Sequence, residues 1–187
     1  MPHFALISAS VRTGRKSHRV ALHLEKVIQD SGNTVDLLDL LAFNFPLFPE
    51  RLKFMTDIPA DVQDFAERIR KADGVIIVTP EYNAAPPASL KNVLDLLTAD
   101  WAKKPIAIST VSGGAFGGVQ CMTQLVVDFW KIKGWVVPAT LTVPKVQETF
   151  QEDGTPTADA EGWAKRTKAF LDELGWAIEA KRRMEVQ

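Results

Sequence analysis

A chain of 187 residues, 46% of them hydrophobic and 24% charged, is long enough for one domain with a full core and has the composition of an ordinary soluble globular protein. A net charge of -1 removes the electrostatic reason to expect nucleic acid or an anionic membrane as a partner and disfavours a strongly acidic electron carrier; no apolar run approaches the roughly 20 residues that span a bilayer. The single Cys121 excludes an intramolecular disulfide, and no basic N-terminal region precedes a long apolar stretch, so the expected location is cytoplasmic.

Strand and helix patterns alternate along the chain, which predicts a doubly wound parallel sheet in a single domain over residues 1–187. The first strand, residues 3–8, runs into Ala9-Ser10-Val11-Arg12-Thr13-Gly14-Arg15-Lys16-Ser17-His18. This loop of hydroxyls and cations opens a helix with the apolar face Val20, Leu24, Val27 and Ile28. It suits a phosphate: N–H groups at a helix start are unpaired and carry the positive end of the dipole, and Arg12 offers a planar donor fork. Gly14-Arg15-Lys16-Ser17 imitates the end of a nucleoside-triphosphate loop. That motif requires a glycine where Ala9 stands and a lysine where Arg15 stands, so the ATPase reading fails. His18 either helps neutralise the phosphate or is a solvated helix-start side chain, and His3, His18 and His23 form no ligand cluster, so no metal site is expected.

A second strand over 34–39 precedes the aromatic loop Phe43-Asn44-Phe45-Pro46-Leu47-Phe48-Pro49, which either caps the core or borders an interface. A helix face of Val62, Phe65, Ala66 and Ile69 leads to a third strand over 74–79, whose carboxyl end carries Thr79-Pro80-Glu81-Tyr82-Asn83. That loop holds the only tyrosine, at the sheet edge where α/β proteins place ligands. Glu81 reads as a structural carboxylate, pairing with Lys91 or the helix start, rather than a catalytic acid. The next helix shows the face Leu90, Val93, Leu94 and Leu97, followed by Trp101, placed in the core or near a subunit contact.

The fourth strand, 105–110, ends in Ser112-Gly113-Gly114-Ala115-Phe116-Gly117-Gly118, a run that lets backbone approach a flat ligand. It is not a Rossmann fingerprint, because Ala115 occupies the second glycine position. Val119, Met122, Leu125, Val126, Phe129 and Trp130 mark the following helix face, with Cys121 beside it as a buried, inert thiol. A strand near 135–143 and a surface turn over 144–158 precede a last helix that packs Trp163, Thr167, Phe170, Leu171, Leu174 and Ile178 on the sheet. No serine occurs in G-x-S-x-G, which removes the simplest hydrolase reading.

Together these segments resemble the NAD(P)H-dependent FMN reductase family, which includes flavodoxin-like quinone and azo-dye reductases. Ser10, Arg12 and Ser17 match its phosphate loop, Gly-Ser-x-Arg-x-x-Ser-x-Asn; Pro80, Glu81, Tyr82 and Asn83 match its flavin-ring loop; Ser112, Gly113 and Gly114 match its Gly-Gly loop. The likeness spans nearly the whole chain. Ala9 replaces the usual glycine, the Arg12 to Ser17 spacing is about two residues longer, and Arg19 stands where asparagine is usual.

The resemblance implies a flavodoxin-like three-layer fold, a five-stranded parallel sheet of order 2-1-3-4-5 with helices on both faces. It implies non-covalent FMN, with Ser10, Arg12, Ser17, His18 and Arg19 around the phosphate, Pro80 to Asn83 bordering the ring, and Ser112 to Gly114 along its pyrimidine side. NAD(P)H would be the electron donor and quinones, azo dyes, free flavin or metal oxyanions the acceptors, with the flavin rather than a protein side chain carrying the chemistry. It further implies a homodimer or homotetramer, for which the 90–97 helix face and the 43–49 loop are the candidate surfaces. Two rival readings keep the fold and drop small-molecule turnover: a flavin-bearing electron-transfer module, and a cofactor-free protein-interaction module.

Overall fold

The computed structural model describes residues 1–185. In chain order the elements are β1 (His3–Ser8), α1 (His18–Asp30), β2 (Thr34–Asp39), the short α2 (Leu40–Phe43), α3 (Ala60–Lys71), β3 (Gly74–Pro80), α4 (Ala88–Leu97), β4 (Pro105–Val111), α5 (Val119–Lys131), β5 (Trp135–Val143), the short α6 (Val146–Thr149) and α7 (Ala160–Glu185). All neighbouring strands pair in parallel and the order is β2-β1-β3-β4-β5. The expected sheet is therefore present, with each strand at its expected position.

Parallel strands buried on both faces explain the unbroken apolar stretches over 75–78 in β3 and 106–108 in β4, and neither strand exposes a residue. Alternate side chains serve opposite layers. Ala5, Ile7, Val75, Ile77, Ile106 and Ile108 pack under α3, α4 and α5, whereas Phe4, Leu6, Ile76, Val78, Ala107 and Leu141 pack under α1 and α7. At the edge, β5 carries Pro138, and the register with β4 shifts between Ile106 and Ile108. An edge strand tolerates proline because one side of it needs no ladder donor.

Several surfaces differ from expectation. Leu90, Val93, Leu94 and Leu97 are at most 1% exposed, so this face belongs to the core and offers nothing to a partner. Trp101 is also fully buried and donates its indole N–H to Leu94 O at 3.1 Å, which places it in the core. In the aromatic loop, Phe43 stacks on Phe45, and both meet Phe65 edge-on with centroids 5.3 and 5.5 Å away, so these rings cap the α3 side of the core.

On α5 the core takes Cys121, Met122, Leu125 and Phe129 but leaves Val119, Val126 and Trp130 exposed, together with Val127. This helix is apolar around more of its circumference than one sheet face can cover. Residues 144–158 are likewise more than a surface turn. They contain α6, the fully buried Phe150, and Gly154, whose φ of +84° brings the loop so close to α1 that a Cβ there would lie 2.5 Å from His23 N. No helix among the described residues is long and apolar enough to cross a membrane.

Candidate functional site

Because β1, β3 and β4 are adjacent and parallel, the loops leaving their carboxyl ends emerge side by side. They enclose a cavity of about 300 Å³, within the range of small-molecule sites. Ser10, Arg12, Ser17, Pro80, Glu81, Tyr82, Ser112 and Gly113 all line it, so the structure brings together residues up to 103 positions apart in sequence.

The first loop begins by extending β1. Ala9 N donates to Val78 O at 3.0 Å, Ser89 Oγ donates to Ala9 O at 2.6 Å, and Ala9 is completely buried. Its φ is not positive, so no glycine is needed there. The longer spacing after Arg12 forms a turn: Arg15 N donates to Arg12 O at 3.2 Å, and Gly14 has a φ of +69°. Arg15 then folds under the loop. Its Nη1 donates to Ser10 O at 2.8 Å, and its two Nη atoms pair with the two carboxylate oxygens of Asp39 at the end of β2. Burial alone would raise the Asp39 pKa, but the Arg15 hydrogen bonds, the Leu41 N–H and the charge of Arg15 prevail and hold it below its ordinary value.

Ser17 stands immediately before α1, makes no capping hydrogen bond to it and is 3% exposed, and its Oγ has no hydrogen-bond partner among the described residues. A buried hydroxyl left in this state costs free energy unless something else pairs with it, and it lies in the wall of the cavity. Arg12, Arg15 and Lys16 supply positive charge to the same wall. The Arg12 guanidinium lies over the Tyr82 ring, 5.2 Å from its centroid.

The other two residues expected near the phosphate point elsewhere. His18 Nδ1 meets Ser8 Oγ at 3.0 Å. Burial lowers its pKa, the charge of Arg15 lowers it further and Asp39 opposes, so the ring favours its neutral form. Arg19 donates to Phe150 O at 2.8 Å and pairs with Glu152 at 3.5 Å, tying the loop after α6 to α1. Neither residue lines the cavity.

On the second loop, Tyr82 Oη and Ser10 Oγ share a 2.8 Å hydrogen bond. Glu81 Oε2 accepts from Gln120 N and Cys121 N, each at 3.0 Å, so the helix start it serves is that of α5; Lys91 pairs with Asp95 and Asp128 instead. Asn83 and Ala84, with φ of 52° and 64°, form a tight turn closed by Tyr82 N to Ala85 O at 2.9 Å and Ala85 N to Tyr82 O at 3.1 Å. Two successive left-handed residues define a type I′ turn, where asparagine is favoured. Gln124 Nε2 anchors it by donating to Ala84 O at 2.7 Å. Asn83 thus shapes the loop from outside the cavity wall.

Ser112 organises the third loop, donating from Oγ to Gly114 O at 2.9 Å and accepting there from Gly117 N at 3.0 Å. At the loop's end Gly118 has a φ of +80°, and a Cβ there would stand 3.0 Å from Thr110 Cβ, so the start of α5 demands glycine. Gly114 stands just off the wall and donates no side chain; its carbonyl accepts from Lys145 N at 2.9 Å. Cys121 is fully buried, and burial pushes its thiol pKa up to about 12, which keeps it inert at neutral pH.

Gln147 of α6 is a wall residue that sequence reading missed. Its Nε2 donates to Gly113 O at 3.1 Å, and its buried Oε1 has no donor among the described residues. The available signal was weak: Gln147 follows β5, whose carboxyl end lies beside that of β4. Thr13, Gly14, Arg15 and Lys16 belong to the loop expected from the sequence to take a phosphate, but their individual places in the wall depend on how that loop folds back.

The chain is similar to known proteins along its length. It is 40% identical to a quinone reductase of Escherichia coli over 120 residues, 62% of this chain and 63% of the relative, so the match spans less than two thirds of that protein. With an FMN-dependent NADPH-azoreductase of Staphylococcus haemolyticus it shares 26% identity over 172 residues, covering 90% of this chain and 91% of the relative. The structure of FerB, a flavoenzyme NAD(P)H:(acceptor) oxidoreductase from Paracoccus denitrificans, superposes with a TM-score of 0.77 at 23% identity, covering 95% of this chain and 99% of that one, which shows a common fold. The family model described as NADPH-dependent FMN reductase matches residues 2–148, most of the chain and all three loops of the cavity, and the chain belongs to that family.

Proposed function

We propose that this protein is an FMN-dependent oxidoreductase that accepts hydride from NAD(P)H and passes electrons to small acceptors such as quinones or azo compounds. One observation carries the reading: a single cavity joins a cationic, hydroxyl-bearing helix start to a glycine loop with exposed backbone, the two surfaces that a flat ring bearing a phosphate requires. The unpartnered Ser17 Oγ fits the phosphate end, where Arg12 and Lys16 add charge. Tyr82, Ser112, Gly113 and Gln147 fit the remainder of the ligand, and Gly113 admits it closely because no side chain intervenes.

When bound, FMN supplies the hydride-accepting and electron-donating centre. The chain's own residues bind and orient it: the first loop neutralises the phosphate, and the Tyr82 hydroxyl, held by Ser10, fixes the second loop against the first. Glu81 is engaged at α5 and has no proton-transfer role in this reading. Because an open site over one ring face can serve donor and acceptor in turn, ping-pong kinetics are expected.

The active form is proposed to be a cytoplasmic homodimer, or a homotetramer built from it. With the α4 face in the core, the supporting surface is the exposed apolar one of Phe116, Val119, Val127 and Trp130, at 82%, 49%, 61% and 76% exposure. A self-complementary patch of this kind closes through a two-fold axis. The deciding experiment is the absorption spectrum of the purified protein, supplied with FMN, before and after NADPH. Bleaching of a flavin band, with reoxidation by a small quinone, supports the reading; no uptake of micromolar FMN refutes it, and a reduced flavin that no small acceptor reoxidises leaves an electron-transfer module.

A further inference from the structure

The Arg15–Asp39 pair has no part in the phosphate contacts expected from the sequence, yet it is built into the same loop. Residues 11–14 are all exposed, so apolar burial does not hold this stretch of the cavity wall. The Arg15 side chain is only 12% exposed, and it joins the backbone of the loop at Ser10 to the Asp39 carboxylate at the end of β2. Its own amide closes the turn to Arg12 O, its Nη1 reaches Ser10 O, and its fork grips Asp39, which at the same time accepts from Leu41 N at 3.0 Å to cap α2.

We propose that Arg15 and Asp39 form a positioning pair that holds the 11–16 loop in its phosphate-binding shape and thereby sets the preference for FMN over riboflavin. The inference rests on the proposed FMN site. Arg15 acts here as a brace, since both terminal nitrogens of its guanidinium are committed to Asp39 and Ser10 O. A lysine in its place would supply a point charge but no fork able to hold both partners.

Two physical effects of the carboxylate have opposite signs, and this makes the inference testable. Asp39 is a negative charge near a site for a dianion, so by Coulomb's law alone its removal tightens FMN binding. If Arg15 were itself a phosphate ligand restrained by Asp39, removal of the carboxylate would release it and tighten binding again. If the pair is a brace, removal loosens the loop and weakens binding.

The experiment measures FMN and riboflavin affinity by flavin fluorescence quenching in the wild type, Asp39→Asn and Arg15→Lys. Asparagine retains an oxygen for the Leu41 N–H, so the change falls on the Arg15 side. Both variants are expected to bind FMN about tenfold more weakly, with riboflavin affinity unchanged. Amide hydrogen exchange of the 11–16 loop in the flavin-free protein is expected to be faster in both. Unchanged or tighter FMN binding in Asp39→Asn, or equal losses for FMN and riboflavin, overturns the inference while leaving the FMN site standing. A wild type that binds neither flavin overturns the site and the inference together. Should Asp39→Asn fail to fold, Arg15→Lys decides through amide exchange in the flavin-free protein, where unchanged protection of the 11–16 loop overturns the inference; should both fail, protection of the 11–16 amides in the flavin-free wild type decides, and their exchange at the rate of an open loop overturns it.

Discussion

Ser10 and Tyr82, 72 positions apart in sequence, meet through a hydroxyl–hydroxyl hydrogen bond of 2.8 Å that ties the loop after β1 to the loop after β3. Ser10 is fully buried, and its other contact, from Arg12 N, is long at 3.5 Å. The tyrosine hydroxyl is therefore the main partner of a group that cannot turn to water.

Tyr82→Phe is expected to lower stability by about 0.5–1.5 kcal/mol, the ordinary contribution of one such bond, and to weaken FMN binding by loosening the wall. Urea unfolding and flavin titration of the variant measure the two effects. A variant with unchanged stability and affinity would show that the contact contributes nothing.

Glu81→Gln tests whether this carboxylate is structural. The substitution removes a negative charge from the start of α5, so a stability loss of about 1 kcal/mol is expected, with FMN affinity and turnover essentially retained. Loss of turnover at unchanged stability would give Glu81 a chemical role instead.

The exposed face of α5 is the surface through which the proposed dimer is expected to form. Wild type at low micromolar concentration should scatter light with at least twice the chain mass of 20.7 kDa, and Val127→Asp with Trp130→Asp should return it to the monomer mass. A monomeric wild type would instead leave these side chains as solvated surface.

Acid is expected to destabilise the fold through His23, which is 7% exposed and bonded to Thr167 Oγ1 at 3.0 Å. Burial lowers its pKa below the usual 6.5 despite an opposing hydrogen bond to the backbone of Gly154, with the charge of Lys26 lowering it further. The unfolded chain then takes up the proton first, so this contribution to stability is complete above pH 6.5 and is lost as the pH falls from there toward the folded value. His18 acts in the same direction. Urea midpoints at pH 7.5 and about 5.5 should differ less in His23→Gln than in the wild type.

Much of the fold was legible because local and global preferences agree. The stretches over 75–78 and 106–108 are unbroken apolar runs of the kind that strands buried on both faces favour, and the loop chemistry after β1, β3 and β4 falls where a parallel sheet gathers ligands. Pro80, Tyr82 and Gly113 could be placed at the cavity from motif and strand position alone. Periodicity, by contrast, says that a helix face is apolar without saying what covers it. Leu90 and Trp130 carry the same signal, yet one is fully buried and the other 76% exposed, because the apolar circumference of α5 is wider than the sheet face can cover. Likewise, which of Arg12, Arg15, Arg19 and His18 faces the cavity depends on partners that are distant in sequence: Tyr82, Asp39, Phe150 and Ser8. A long cationic side chain has several reachable acceptors, and only the tertiary arrangement of those acceptors selects one.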